Sequence, residues 1–243
     1  MRVKPEFKFS LNETQRILER FVESKIDLVI LHIDLVNSTK MSMILSIDKL
    51  STIIRAFAQE MSSVISMYGG YVLKYIGDAV LAFFIVEKGD DDSTGKENTP
   101  SANIPVPHSL QSGNVVSCAY TMIKVIQEGL NLILNQYDYP ELKVRIGIEF
   151  GEIGVVQYGI DIHESNGKAI FTRSYIDLLG FTISIAVKMT SIARPDQIVI
   201  GEKFYNMLDD RQRDTFRPIS GSSNIWSYIS EISDRRYRIY GSL

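Results

Sequence analysis

Residues 71–84 read YVLKYIGDAVLAFF. Two apolar, β-prone runs meet at Ile76-Gly77-Asp78, which is the composition of a tight hairpin. Upstream, residues 26–34 read IDLVILHID, an almost unbroken β-branched and apolar run. Such a run suits a strand covered on both faces. It ends in the polar turn Asp34-Leu35-Val36-Asn37-Ser38-Thr39. A long helix is expected from about Ser42 to Met67, stopped by Tyr68-Gly69-Gly70. Downstream, a second helix is expected over roughly 114–136, then two strands in residues 142–159 broken at Gly151. A polar stretch, 159–170, leads to a helix starting near Gly180, a short strand QIVI (197–200) and a short helix EKFYNML (202–208). Strands near 224–230 and 235–240 close the chain. This order predicts an α+β fold: one mostly antiparallel sheet with helices packed mainly on one face.

The flanking segments set the domain plan. Residues 10–24 predict a short amphipathic helix, with Ser10 and Glu13 at capping-box spacing and Ile17, Leu18, Phe21 and Val22 on one face. It must pack on the main domain or on a partner chain. The expected division is an N-terminal helical segment, 1–26, and one domain, 27–243. Residues 87–113 are poor in apolar residues and rich in Asp, Ser, Gly, Asn and Pro, as in a flexible loop insertion. Asp90-Asp91-Asp92 in it reads as solvated charge.

Composition narrows the class. The chain has 243 residues, 45% of them apolar and 23% charged, as in ordinary globular domains. A net charge of −3 speaks against general affinity for nucleic-acid backbone or anionic membrane. The single cysteine, Cys118, cannot form an intrachain disulfide and suits a reducing compartment. The first fifteen residues lack a signal-peptide apolar stretch, and no run approaches a membrane span. The expected location is the cytoplasm. His32 reads as a satisfied core or edge histidine. His108 and His163 fall in polar stretches, and the three are not at metal-ligand spacing. Trp226 and the nearby tyrosines form no stacking platform for nucleic acid. No spacing argument supports Glu152 and Asp161 as an acid–base pair.

Asp34 and Asp78 carry the strongest chemical signal. Asp34 lies where a buried strand gives way to a helix. It is either held in a turn capped by Asn37, Ser38 or Thr39, or a metal-bound carboxylate beside free helix N–H groups. Asp78 taken alone is ordinary turn chemistry. Together, two aspartates at the ends of apolar strands can converge at one sheet edge. There they can bridge two Mg²⁺ or Mn²⁺ ions roughly 4 Å apart.

Read in order, these segments resemble the catalytic domain of class III adenylyl/guanylyl cyclases. Residues 34–39 resemble the first metal motif of that family, and Gly69–Phe84 resembles the second. Val144-Arg145-Ile146-Gly147-Ile148 is similar to a later strand, and Asp177-Leu178-Leu179-Gly180 with Ala186 and Met189 to the segment before the last catalytic helix. Pro195–Ile200 fits the strand that follows. The resemblance implies a ferredoxin-like, palm-type sheet. It implies Asp34, Asp78 and the Leu35 carbonyl as ligands for two Mg²⁺ or Mn²⁺ ions. Asn37, Ser38 and Thr39 would cradle the triphosphate through backbone N–H groups and the Thr39 hydroxyl, and Arg145 would contact phosphate. An exposed strand arginine is the alternative for Arg145.

Lys74 and Asp177 fall at the base-reading positions implied by the resemblance. An ammonium can donate to adenine N1 and a carboxylate can accept from the N6 amine. Guanine reverses both features, so the pair favours ATP over GTP, and it argues against a pyrimidine triphosphate. An exposed strand lysine and a helix-capping aspartate are the alternatives. Where the family carries transition-state Asn and Arg, this chain has Ser184 and Lys188. The loss of a donor and of a planar fork puts turnover in question. The resemblance therefore implies conversion of ATP to 3′,5′-cyclic AMP and pyrophosphate by a head-to-tail homodimer, with the sites at the interface. The alternatives are a weak or inactive nucleotide-binding sensor and a cyclase for another triphosphate. The Gly-Gly-Asp/Glu-Glu-Phe signature of diguanylate-forming enzymes is missing.

Overall fold

Alternation along β1 (Lys25–Leu35) divides the molecule into two layers. Val29, Leu31, Ile33 and Leu35 point into one core, and Leu28 and Ile30 into another. The apolar run is continuous because both faces are covered. The computed structural model describes residues 11–85, 112–159, 162–165, 168–171, 175–219, 226–230 and 234–243.

After β1 the chain turns into α2 (Ser38–Ile44) and α3 (Ile47–Met67). The single helix expected from Ser42 is thus two, the second starting behind Ser46. That side chain accepts from the Lys49 N–H and caps α3. Ile53, Phe57, Met61, Val64 and Ile65 form the buried stripe of α3. The hairpin follows as expected, with β2 (Tyr71–Ile76) and β3 (Ala79–Ile85) joined at Gly77-Asp78. Gly77 has φ +62°, which a two-residue hairpin turn requires.

Helix α4 (Ser112–Val125) passes through a π-helical turn, Ile126–Leu130, into α5 (Asn131–Asn135). Of the expected loop, only residues 112 and 113 are described, and they are helical. The aspartates at 90–92, together with His108 and Asp161, lie outside the described residues. Strand β4 (Val144–Tyr158) is one strand rather than two. Its pairing with β1 runs without interruption from Leu35↔Val144 to Lys25↔Gly154, straight through Gly151. The polar stretch holds a small two-stranded sheet, β5 (Ile162–Ser165) and β6 (Lys168–Phe171). Then come β7 (Tyr175–Leu179), α6 (Phe181–Ile192), β8 (Gln197–Gly201), α7 (Glu202–Met207), α8 (Asp210–Arg213), β9 (Phe216–Pro218) and β10 (Ile239–Ser242). Near 224–230 the described residues form only an isolated bridge, Ile229↔Arg236, and the last strand starts at Ile239.

The main sheet runs β2-β3-β1-β4-β8-β10-β9, with β7 added to the far part of β4. Only β4–β8 is parallel; the other pairings are antiparallel. Helices α3, α4 and α7 bury one face in the larger core. On the other face α6 packs across β4, and α1 (Leu11–Leu18) closes the end over β2 and β7. The amphipathic segment therefore packs on its own chain. Leu18 is fully buried, Thr14 Oγ1 donates to the Val72 carbonyl, and the Gln15 amide exchanges two hydrogen bonds with the Ile176 backbone.

Candidate active site

The hairpin turn delivers Asp78 beside Asp34. Ala79, the next residue, pairs across the ladder with Asp34, which is paired on its other side with Arg145. One guanidinium nitrogen of Arg145 donates to Asp34 Oδ2 at 2.6 Å, and both side chains are mostly buried. Arg145 is thus no exposed strand arginine. Burial pushes the Asp34 carboxyl above its ordinary range, the Arg145 hydrogen bond opposes this, and the neighbouring Asp78 carboxylate raises it further. Asp78 Oδ2 is buried with no hydrogen-bond partner.

His32 belongs to the same cluster. It precedes Asp34 by two residues and so projects from the same face of β1. It is 5% exposed, and its Nδ1 has no hydrogen-bond partner, so it is buried but not satisfied as expected. Burial lowers its pKa to about 4, Asp78 opposes that fall, and Arg145 adds to it. The imidazole is therefore neutral at neutral pH. A period of two from Asp34 was the signal available in the sequence.

The donor set fits a divalent cation. Two converging carboxylates, one with a buried oxygen that lacks a donor, are an unfavourable arrangement that a cation relieves. Among the described residues no cluster of three or more His, Cys, Asp or Glu side chains is placed to hold a metal. Two carboxylates and the Leu35 carbonyl would be the protein's share, with water and phosphate oxygens completing the shell, as Mg²⁺ prefers. The Leu35 side chain is buried in the helix-side core, which leaves its backbone as the only usable donor.

Beside this cluster lies a cavity of about 440 Å³ between α2, α3 and the hairpin turn, with Ser38, Thr39 and Asp78 in its wall. Asn37 is the residue before α2, with φ +60° and no side-chain capping bond, and Ser38 and Thr39 fall inside the first turn. None of the three is thus seen capping the helix with its side chain.

A second group forms elsewhere. Lys74 Nζ donates to Asp177 Oδ2 at 2.5 Å across 103 residues of sequence. Asp177 Oδ1 accepts from the Leu178 N–H. Asp177 sits within β7 and caps no helix; the residue before α6 is Gly180. The two side chains are 32% and 15% exposed, so this is a partly sheltered pair rather than a surface lysine. On α6, Ser184 and Lys188 lie four residues apart on one exposed face, with the Ser184 hydroxyl directed at the Gly180 carbonyl. Among the described residues no hydrogen bond or ion pair joins Lys74, Asp177, Ser184 or Lys188 to Asp34 and Asp78.

The family model described as "Adenylate and Guanylate cyclase catalytic domain" matches residues 22–220. The chain belongs to this class III cyclase family. Among its relatives is the cytidylate cyclase of Staphylococcus aureus, 26% identical over 198 residues, which are 80% of this chain and 40% of that protein. The cytidylate cyclase of Escherichia coli is 22% identical over 180 residues, 74% of this chain and 35% of that protein. The cyclase domain thus spans well under half the length of these relatives. Among solved structures, the adenylyl cyclase CyaB from P. aeruginosa superposes with a TM-score of 0.63 at 21% identity, over 90% of this chain and 95% of that one. That likeness concerns the fold: a mostly antiparallel sheet with helices. No helix among the described residues of the cyclase domain is long and apolar enough to cross a membrane.

Proposed function

We propose that this domain cyclises a nucleoside triphosphate whose base carries an exocyclic amine beside a ring-nitrogen acceptor, with CTP ahead of ATP. The observation that carries the reading is the Lys74–Asp177 pair. Its ammonium donates and its carboxylate accepts. Adenine offers N1 and the N6 amine, and cytosine offers N3 and the N4 amine, in the same order. Guanine and uracil present the reverse, and would leave both charged groups mispaired in a partly buried site. The pair therefore separates amino bases from keto bases and is indifferent to ring size. The expectation that it disfavours pyrimidines does not hold on this chemistry. The two relatives named cytidylate cyclases support cytosine.

In this reading the free N–H groups at the start of α2 and the Thr39 hydroxyl hold the phosphates. Asp34, Asp78 and the Leu35 carbonyl hold two Mg²⁺ or Mn²⁺ ions. When bound, such ions lower the pKa of the 3′-hydroxyl and neutralise the departing pyrophosphate. Arg145 is positioned to exchange Asp34 for an α-phosphate oxygen as negative charge builds there. Lys74 and Asp177 give up their mutual bond to orient the base, and Ser184 and Lys188 face the reacting phosphate. Since no hydrogen bond or ion pair joins the two groups within one chain among the described residues, the reading takes the protein as a head-to-tail homodimer, each site drawing one group from each subunit.

The test is direct. Purified protein with Mn²⁺ is given each of the four triphosphates, and cyclic nucleotide and pyrophosphate are measured. Product from CTP, less from ATP, and little from GTP or UTP is expected. GTP or UTP turned over as well as CTP overturns the base assignment. A sensor without turnover is the second reading, favoured by Ser184, whose hydroxyl is directed at its own helix, and by single-pronged Lys188. Triphosphate bound without product would select it.

A further inference from the structure

The cavity beside Asp78 extends beyond the expected phosphate cradle to a cation that no reading above uses. Its α2 wall presents Ser38 and Ser42, four residues apart, and its α3 wall presents Ser51 and Arg55, also four apart. Two helix faces thus set three hydroxyls and a guanidinium around one space that opens onto Asp78. Arg55 is exposed and has no ion pair or hydrogen bond among the described residues. Among the described residues it is the only cation in the cavity wall. Ile47, Leu50 and Ile54 add apolar side chains to the wall.

The charge balance gives Arg55 its use. A nucleoside triphosphate brings roughly four negative charges, spread along a chain that the start of α2 can hold only at one end. Arg145 is bonded to Asp34 and, in the proposed mechanism, moves to the α-phosphate. Arg55 lines the path of a phosphate chain lying past Thr39, in the same wall as Ser38 and Asp78. A guanidinium offers two parallel N–H donors to a phosphate, and the Ser51 hydroxyl can donate beside it, whereas the Ser42 hydroxyl already donates to the Thr39 carbonyl.

We infer that Arg55, with Ser51, forms the subsite for the terminal phosphate of the substrate and for the pyrophosphate released from it. This rests on the triphosphate-cyclase reading and extends it to a residue outside the recognised motifs.

The probes are 3′-deoxy-CTP and 3′-deoxy-ATP, which lack the attacking hydroxyl, together with CMP, AMP and inorganic pyrophosphate. Each is titrated with Mn²⁺ into wild-type protein, Arg55→Ala and Arg55→Lys by calorimetry. One charge-assisted phosphate contact corresponds to about a 10- to 100-fold loss of triphosphate affinity in Arg55→Ala. Pyrophosphate affinity should fall in parallel, and Arg55→Lys should recover part of both. Monophosphate affinity should stay within twofold, a split that a merely structural role of Arg55 would not produce. Triphosphate affinity within twofold of wild type in Arg55→Ala, or an equal loss for monophosphates, overturns the subsite. Wild-type protein that binds the deoxy-triphosphates but makes no cyclic product from CTP or ATP sinks the cyclase reading alone, and Arg55 is then judged on binding. Wild-type protein that binds none of the triphosphates sinks both.

Discussion

Asp78 is held where a carboxylate is a burden to the fold. Its Oδ2 is buried without a donor, beside a second carboxylate. Removing such a group relieves an unsatisfied polar atom instead of creating one. Asp78→Ala is therefore expected to lose cyclase activity by at least about 10³-fold while the melting temperature holds or rises. A variant that keeps turnover refutes the metal assignment, and one that unfolds refutes the strain argument. Lys74 and Asp177 make the complementary case. Lys74→Glu with Asp177→Cys is expected to shift the product ratio from CTP and ATP towards GTP and UTP, measured by competition among the four. An unchanged ratio removes the pair from base reading. Both aspartates, the lysine and Arg145 were legible as motif positions. Their mutual contacts were not. That Arg145 meets Asp34, or that Lys74 meets Asp177 across 103 residues, depends on ladder register and on where β7 lands.

Strand β4 shows what a single element carries. Glycine weakens strands, which predicts a break at Gly151, yet the ladder passes through it. Gly147 and Gly151 of β4 make room for the helix above. A Cβ on Gly147 would stand 2.0 Å from the Ala186 carbonyl oxygen of α6 and 3.2 Å from Met189 Cβ. Gly147→Ala is expected to destabilise the domain by about 1–3 kcal/mol through overpacking, read from the urea midpoint. Unchanged stability would mean that α6 can shift freely on the sheet. Two residues further, Glu149 is fully buried. It accepts from the Phe150 and Phe204 N–H groups and from the Tyr237 hydroxyl, tying α7 and the C-terminal segment to β4. Burial raises its pKa to about 7 from 4.5, with the three hydrogen bonds and Lys203 opposing. The folded state therefore holds the proton more tightly than the unfolded chain. The stability this contributes is complete below pH 4.5 and is lost as pH rises through 7, by at most about 3 kcal/mol. Glu149→Gln should flatten the wild-type decline across that window in chemical denaturation. An equal slope in the variant places the titrating group elsewhere.

At the scale of the whole molecule, the central strands, the hairpin and the two long helical stretches were legible because each is a local periodicity. The small sheet β5–β6, strand β7 and strand β9 were not, since their residues become strands only where a neighbour presents an edge. The same distinction governs the active unit. One chain contains both functional groups but bonds them separately, Asp34 to Arg145 and Lys74 to Asp177. If two chains pair head to tail, each site draws Asp34 and Asp78 from one subunit and Lys74 and Asp177 from the other. Asp78→Ala then damages the metal half of one site, and Asp177→Ala the base half of the opposite site. In a heterodimer of the two variants both defects fall in the same site, and the other site is intact. Random assortment makes half the dimers heterodimers, each with one working site of two, so the mixture should recover about a quarter of wild-type activity. Each variant alone should be nearly inactive on CTP and ATP. Mixing two differently tagged variants and assaying the doubly purified heterodimer checks this, with about half of wild-type activity expected from its one working site of two. A heterodimer that forms but remains as inactive as its parents means that each chain builds its own site, and the shared-site arrangement is wrong.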